Sequence, residues 1–141
     1  MQIKVFNGKS EQPTEEETIF YIQNKGYKAG RPLKKPIPNC WEIRTRRSVD
    51  FEILSILYES KILSVFIIGS VIPFLRLCDY KKIIVPILEK AIHDNRIINA
   101  HYLQIRKIEE NIMHQEKIKK LLHDMKITLS KEVCRKLAIE I

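Results

Sequence analysis

From about Glu89 to Ile141 the chain contains neither proline nor glycine. Nothing in that stretch breaks a helix, and His101, Ile105, Ile108, Ile112, Gln115, Ile118, Leu122 and Met125 recur at spacings of three and four. Apolar residues at that period form a narrow stripe of the coiled-coil kind, about four heptads long, blemished by His101 and Gln115. So narrow a stripe suits a contact between two helices better than a broad core face. The stretch therefore predicts a long helix that either packs on the chain's own body or pairs with the same helix of a second copy. Ile105, Ile108, Ile112, Ile118 and Leu122 form the dimer or partner interface in that reading. Ser130 is expected to cap a last short helix bearing Val133, Leu137 and Ile141.

The residues before the long helix mix signals. Gln2 to Phe6 alternates polar and apolar side chains and ends at Asn7-Gly8, as a short strand and turn do. Thr14 with Glu17 three residues on reads as a capping box, which predicts a helix from about Glu15 to Lys25, stopped at Gly26. Cys40 to Thr45 reads as a strand with Trp41 and Ile43 on one side. Asp50 is placed to cap a helix over Phe51–Ser60, whose Phe51, Leu54, Ile56, Leu57 and Tyr58 make one apolar face. Ile62 to Ile68 fits either a buried strand or the packed end of that helix. Pro73 keeps Ile72–Leu77 extended, Asp79 is placed to cap a short helical turn, and Pro86 argues against one continuous helix from Tyr80 to His93.

Charge is concentrated between these elements. The chain carries 25 Lys and Arg against 17 Asp and Glu, a formal net charge of +8. Between Lys25 and Arg47 eight cations are opposed only by Glu42, and Pro32, Pro36 and Pro38 forbid a regular helix. Cations on an extended, stiffened loop can follow phosphates at small ordering cost. Lys28, Arg31, Lys34, Lys35, Arg44, Arg46 and Arg47 are the candidate phosphate contacts, and Tyr27 and Trp41 offer planar faces to a base or sugar. Trp41, alternating with polar residues in a strand, has a core role as its competing reading.

Catalytic signatures are missing from the sequence. There is no Gly-rich phosphate loop, no nucleophile elbow, and no His and carboxylate pair at metal spacing. His93, His101, His114 and His123 are never three or four residues apart, so no two share a helix face as zinc ligands would. Asp79, Glu89 and Asp94 read as helix caps or first-turn charges. Cys40, Cys78 and Cys134 are odd in number and far apart, which suits reduced, packed thiols, with Cys40 near enough the basic loop for a depressed pKa. No enzyme, metal or cofactor is implied. No window approaches the ~20 apolar residues of a membrane helix and no signal peptide is visible, so a cytoplasmic protein is expected.

Two resemblances add to this. Val49-Asp50-Phe51 with the helix after it, Gly69-Ser70-Val71-Ile72-Pro73-Phe74-Leu75-Arg76-Leu77, and Asp79-Tyr80-Lys81-Lys82-Ile83-Ile84-Val85-Pro86-Ile87-Leu88-Glu89 follow one another in a recognisable order. Ser48 to about Leu122 thereby resembles the end of a target-recognition domain from type I restriction-modification specificity subunits, with the start of the helix that follows it. That resemblance implies DNA recognition and a helix that spaces recognition units and docks a protein partner. Lys28–Cys40 and Gly69–Leu77 are also similar to segments of an uncharacterised family of small basic bacterial proteins associated with mobile elements.

The expectation is an α+β protein in which a small sheet packs on helices and a long C-terminal helix projects or dimerises. Residues 1–92 would form a recognition-like domain, and 93–141 the long helix with its short C-terminal partner. The leading function is non-enzymatic DNA binding as a homodimer. Its rival is an adaptor or inhibitor that binds an acidic surface of a DNA-handling, restriction-modification type complex.

Overall fold

The computed structural model describes residues 1–91 and 95–137. The chain divides into two compact units, Met1–Tyr102 and Leu103–Ile141. His93, Asp94 and Ile141, to which the sequence analysis assigned places, lie outside the described residues.

The first unit is an α+β layer. Strands β1 (Gln2–Val5), β2 (Thr18–Gln23), β3 (Pro32–Leu33) and β4 (Cys40–Thr45) form one antiparallel sheet in the order β1-β4-β2-β3. β4 lies between two partners, and its register sets Ile43 opposite both Ile3 and Phe20. Alternation along β4 sends Trp41 and Ile43 to one face, where they meet Phe20 and Ile22 of β2. Helix α1 (Asp50–Glu59) covers that face with Ile53, Leu54 and Leu57, and α2 (Leu77–Lys90) with Tyr80, Ile84 and Leu88. A 3-10 turn over Ile62–Phe66 adds Leu63.

The predicted helix over Glu15–Lys25 is instead strand β2. Thr18-Ile19-Phe20-Tyr21-Ile22 is β-branched or aromatic throughout, and such side chains fit a pleated surface better than a helix. Six register pairs with β4 and the burial of Phe20, Tyr21 and Ile22 outweigh the capping box, which survives as a single turn with the Glu17 amide donating to the Thr14 carbonyl at 3.0 Å. Asp50 is likewise no cap. It is the first residue of α1, buried, accepting a hydrogen bond from the Thr45 hydroxyl and pairing with Arg47 at 3.2 Å, so it ties the end of β4 to the helix. The Ile62–Ile68 segment is neither of the two expected forms: Lys61 turns left-handed at φ 63° and the chain winds into the 3-10 turn.

Pro86 does not break α2, contrary to the sequence expectation. Its side of the helix is exposed together with Lys82, whose carbonyl loses the proline's bond, while Tyr80, Ile84 and Leu88 are buried on the other. Water can satisfy the lost bond while packing holds the helix. Asp79 sits in the first turn of α2 and pairs with Arg76 at 2.7 Å rather than capping a separate turn.

Helix α3 runs over Asn95–Lys136, about 63 Å at 1.5 Å per residue. It passes through Ser130, whose hydroxyl donates to the Lys126 carbonyl 2.8 Å away, so the expected separate last helix does not start there. None of its residues, all of them described, is buried. Among the described residues no helix is long and apolar enough to cross a membrane.

Candidate functional site

Folding breaks up the basic segment, because β3 and β4 are cut from it. Arg44 leaves β4 on the sheet face opposite the helices and donates to the Glu42 carboxylate at 2.9 Å and to the Glu11 carbonyl at 2.6 Å, with Glu17 at 3.6 Å. Glu42 is buried and also receives the Ser10 hydroxyl and Lys4 at 3.5 Å. Burial alone would push its carboxyl up. The hydrogen bonds from Ser10 and Arg44 and the charge of Lys4 win, holding it below the usual carboxylate range. This polar knot fastens the loop between β1 and β2 over the sheet, and Arg44 is part of it.

The other candidates part company in the same way. Arg47 pairs with Asp50 and donates to the Leu88 carbonyl at 3.0 Å, in the last turn of α2. Arg31 is half-buried and donates to Gln23 at 3.2 Å. Lys34 lies over the Phe51 ring, 5.7 Å from its centroid. Trp41 is 3% exposed, with its ring 5.3 Å from that of Tyr80, so it presents no face to a base. Lys28, Lys35 and Arg46 remain exposed, with no ion pair among the described residues, and Lys25 joins them. A groove of about 660 Å³ does gather Arg44, Arg46 and Arg47, but Glu17, Asp50 and Glu89 line it too and offset their charge.

What the structure assembles instead is a surface of two loops. The turn between β2 and β3 lies against the segment Ile68–Leu75: the Gly26 amide donates to the Pro73 carbonyl at 2.7 Å and the Leu75 amide to the Asn24 carbonyl at 2.9 Å. Ile68 and Phe74 exchange both backbone bonds, which closes Gly69–Pro73 into a tight loop. Two glycines fix this arrangement. A Cβ on Gly30 would lie 2.7 Å from Leu63, and one on Gly69 would lie 2.8 Å from the Ile72 carbonyl oxygen. Both have positive φ.

The tip so held is apolar and open. Tyr27 is 87% exposed, Val71 81% and Ile72 64%, and Ile68, Phe74 and Val65 are exposed beside them in the chain. A groove of about 500 Å³ lined by Lys25, Gly26, Asn39, Ile72 and Phe74 runs along it. Neither Asn24–Arg31 nor Ile68–Leu75 contains an acidic residue, so the surface is apolar with a positive margin. Tyr27 stands out in the sequence by its position among cations. Val71 and Ile72 do not, because an aliphatic pair in a short turn looks the same whether it points inward or outward.

The long helix carries its predicted seam in the open, with Ile105 half-buried and Ile108, Ile112, Ile118 and Leu122 exposed. His101, His114 and His123 are exposed on it. Among the described residues no three His, Cys, Asp or Glu side chains gather to hold a metal ion. Cys40 is buried, and that burial pushes its thiol up, the reverse of the depression expected from nearby cations.

Residues 3–132 match the profile of a family of unknown function, DUF6943, and the chain belongs to that family. No curated protein and no solved structure matches it.

Proposed function

We propose that this member of the DUF6943 family is a non-enzymatic protein-interaction module, an adaptor or inhibitor that binds through the surface made by Asn24–Arg31 and Ile68–Leu75. The observation that carries this is the exposure of Tyr27, Val71 and Ile72 on loops pinned to each other by backbone hydrogen bonds. Single exposed apolar residues are ordinary, but a group on one fixed surface marks a contact site. Lys25 and Lys28 at its margin select a partner with an apolar pocket and an acidic rim. The resemblance of Ser48–Leu122 to recognition domains supports a DNA-handling complex as the setting. Three cysteines without a disulfide among them support a reducing, cytoplasmic one.

The test compares the native protein with Val71→Asp/Ile72→Asp. A partner captured from the source cells is purified and its affinity measured by calorimetry. The apolar double variant should lose about tenfold or more, with the loss persisting at high salt. Equal binding by both proteins rejects the reading.

DNA binding is the second reading, favoured by the exposure of Lys25, Lys28, Lys35 and Arg46, none of which forms an ion pair among the described residues. Four such contacts predict a log–log salt slope no steeper than about −4 on labelled duplex. Lys25→Glu/Lys28→Glu should flatten that slope by about two. No duplex binding at low salt removes this reading and leaves the first.

A further inference from the structure

The apolar seam of α3 changes register once. Ile105, Ile108, Ile112 and Gln115 follow steps of three, four and three; the next step, to Ile118, is again three, after which Leu122, Met125 and Leu129 follow at four, three and four. Such a step shifts the seam around the helix without ending it. The residues bordering the seam then sort by charge. Along one border stand Glu109 and Glu116 before the step and Lys119 and Lys126 after it; along the other stand Gln104, Asn111, Leu121 and Thr128. One border is therefore acidic in its first half and basic in its second, and the other is uncharged.

This pattern distinguishes the two ways in which copies of α3 can pair. In a parallel pair each border faces the opposite border of its partner, so the charged residues would meet Gln104, Asn111, Leu121 and their neighbours. In an antiparallel pair like borders face each other. Glu109 then opposes Lys126 and Glu116 opposes Lys119, each contact occurring twice by symmetry. In an antiparallel pair the two alternating positions of the seam meet each other, so the same alignment sets Ile108 against Leu129, Ile112 against Met125 and Gln115 against Leu122.

We propose that α3 pairs antiparallel with α3 of a second copy, with the twofold axis passing near Ile118. A second copy is the occupant because the complement of each half of this surface lies on the other half of the same helix, as an isologous contact requires. The seam is accessible for it, since no residue of α3 is buried. Glu109 already pairs with Arg106 at 3.0 Å, but both side chains are exposed, at 36% and 54%, and a pair of that kind competes weakly. The dimer carries two copies of the two-loop surface, so it binds a bivalent partner with gain in avidity. Its existence does not depend on what that surface binds.

The test uses the full chain with Cys78→Ser and Cys134→Ser, into which Ile108→Cys and Leu129→Cys are introduced separately. Mixing the two variants under oxidising conditions should give their heterodimer as the main disulfide product. Self-cross-linked Ile108→Cys in preference to the heterodimer means a parallel pair and overturns the proposal, as does a monomer by sedimentation with no cross-link. A second set reads the charges: Lys119→Glu/Lys126→Glu should raise the dimer dissociation constant about tenfold, and adding Glu109→Lys/Glu116→Lys should restore it. Failure of that rescue also overturns the antiparallel arrangement.

Discussion

Met1–Tyr102 and Leu103–Ile141 use apolar residues in opposite ways. The first unit closes Phe20, Ile22, Trp41, Ile43, Leu54, Tyr80 and Ile84 into a core with each at most 3% exposed. The second buries none of its described residues, although it carries Ile108, Ile112, Ile118, Leu121, Leu122, Met125 and Leu129. The difference is geometrical. A sheet with two helices folded back on it removes apolar surface from water within one unit, whereas a single helix has no second layer of its own to cover its seam. Stability should therefore be local to the first unit, and association should belong to the second.

The largest test of that division is Ile43→Ala, which leaves a cavity beneath the central strand and should destabilise the first unit by about 2–5 kcal/mol in chemical denaturation. Ile112→Ala should leave that transition in place and weaken self-association instead, as read by sedimentation. Equal loss of the same transition from both would erase the distinction.

Arg44→Ala comes next. It takes from the buried Glu42 carboxylate its nearest cation and leaves it Ser10 and the more distant Lys4, so it should lower the denaturation midpoint of the first unit by less than Ile43→Ala does. The same carboxyl predicts a pH effect. Its folded pKa is depressed, so its stabilising contribution is present above the unfolded pKa and disappears as pH falls through the folded one. Unfolding midpoints should drop on acidification, and less so in Glu42→Gln than in the native protein.

Gly69→Ala is smaller, about 1–2 kcal/mol, since it places a Cβ at φ +102° against the Ile72 carbonyl. Its more telling readout is binding, because it should disorder the Val71-Ile72 tip while leaving the core intact. The smallest stability effect is expected from Lys25→Glu/Lys28→Glu, within about 0.5 kcal/mol, as both cations are exposed and form no ion pair among the described residues. Any strong destabilisation there would mean that the positive margin serves the fold rather than a ligand.

How legible each part was follows from how local its signal is. β1, β4 and α3 can be read directly, because alternation, a Pro- and Gly-free run and a three-four spacing each fit inside one element. β2 could not, since Thr14 and Glu17 offered a helix start while its strand partner β4 lay beyond the proline-rich segment in the chain. The proposed binding surface was half legible: Lys25, Tyr27 and Lys28 announce themselves by type, whereas Val71 and Ile72 became notable only once Gly26 and Pro73 were hydrogen-bonded. Cations suffered the reverse fate, because a side chain's type does not say whether a carboxylate has been folded within its reach, as Glu42 has for Arg44.

On its own, then, the sequence determined the α+β class, the long C-terminal helix, the order of acid and base along its border, and the excess of positive charge. These depend on composition and short-range spacing. Tertiary structure decided that Thr18–Gln23 is a strand, that α2 runs through Pro86, that Trp41 and Arg44 serve the fold, and that two distant loops make one surface. Each of those outcomes turns on a contact between residues far apart in the chain, where burial and paired hydrogen bonds outweigh a local preference of about 1 kcal/mol or less per residue.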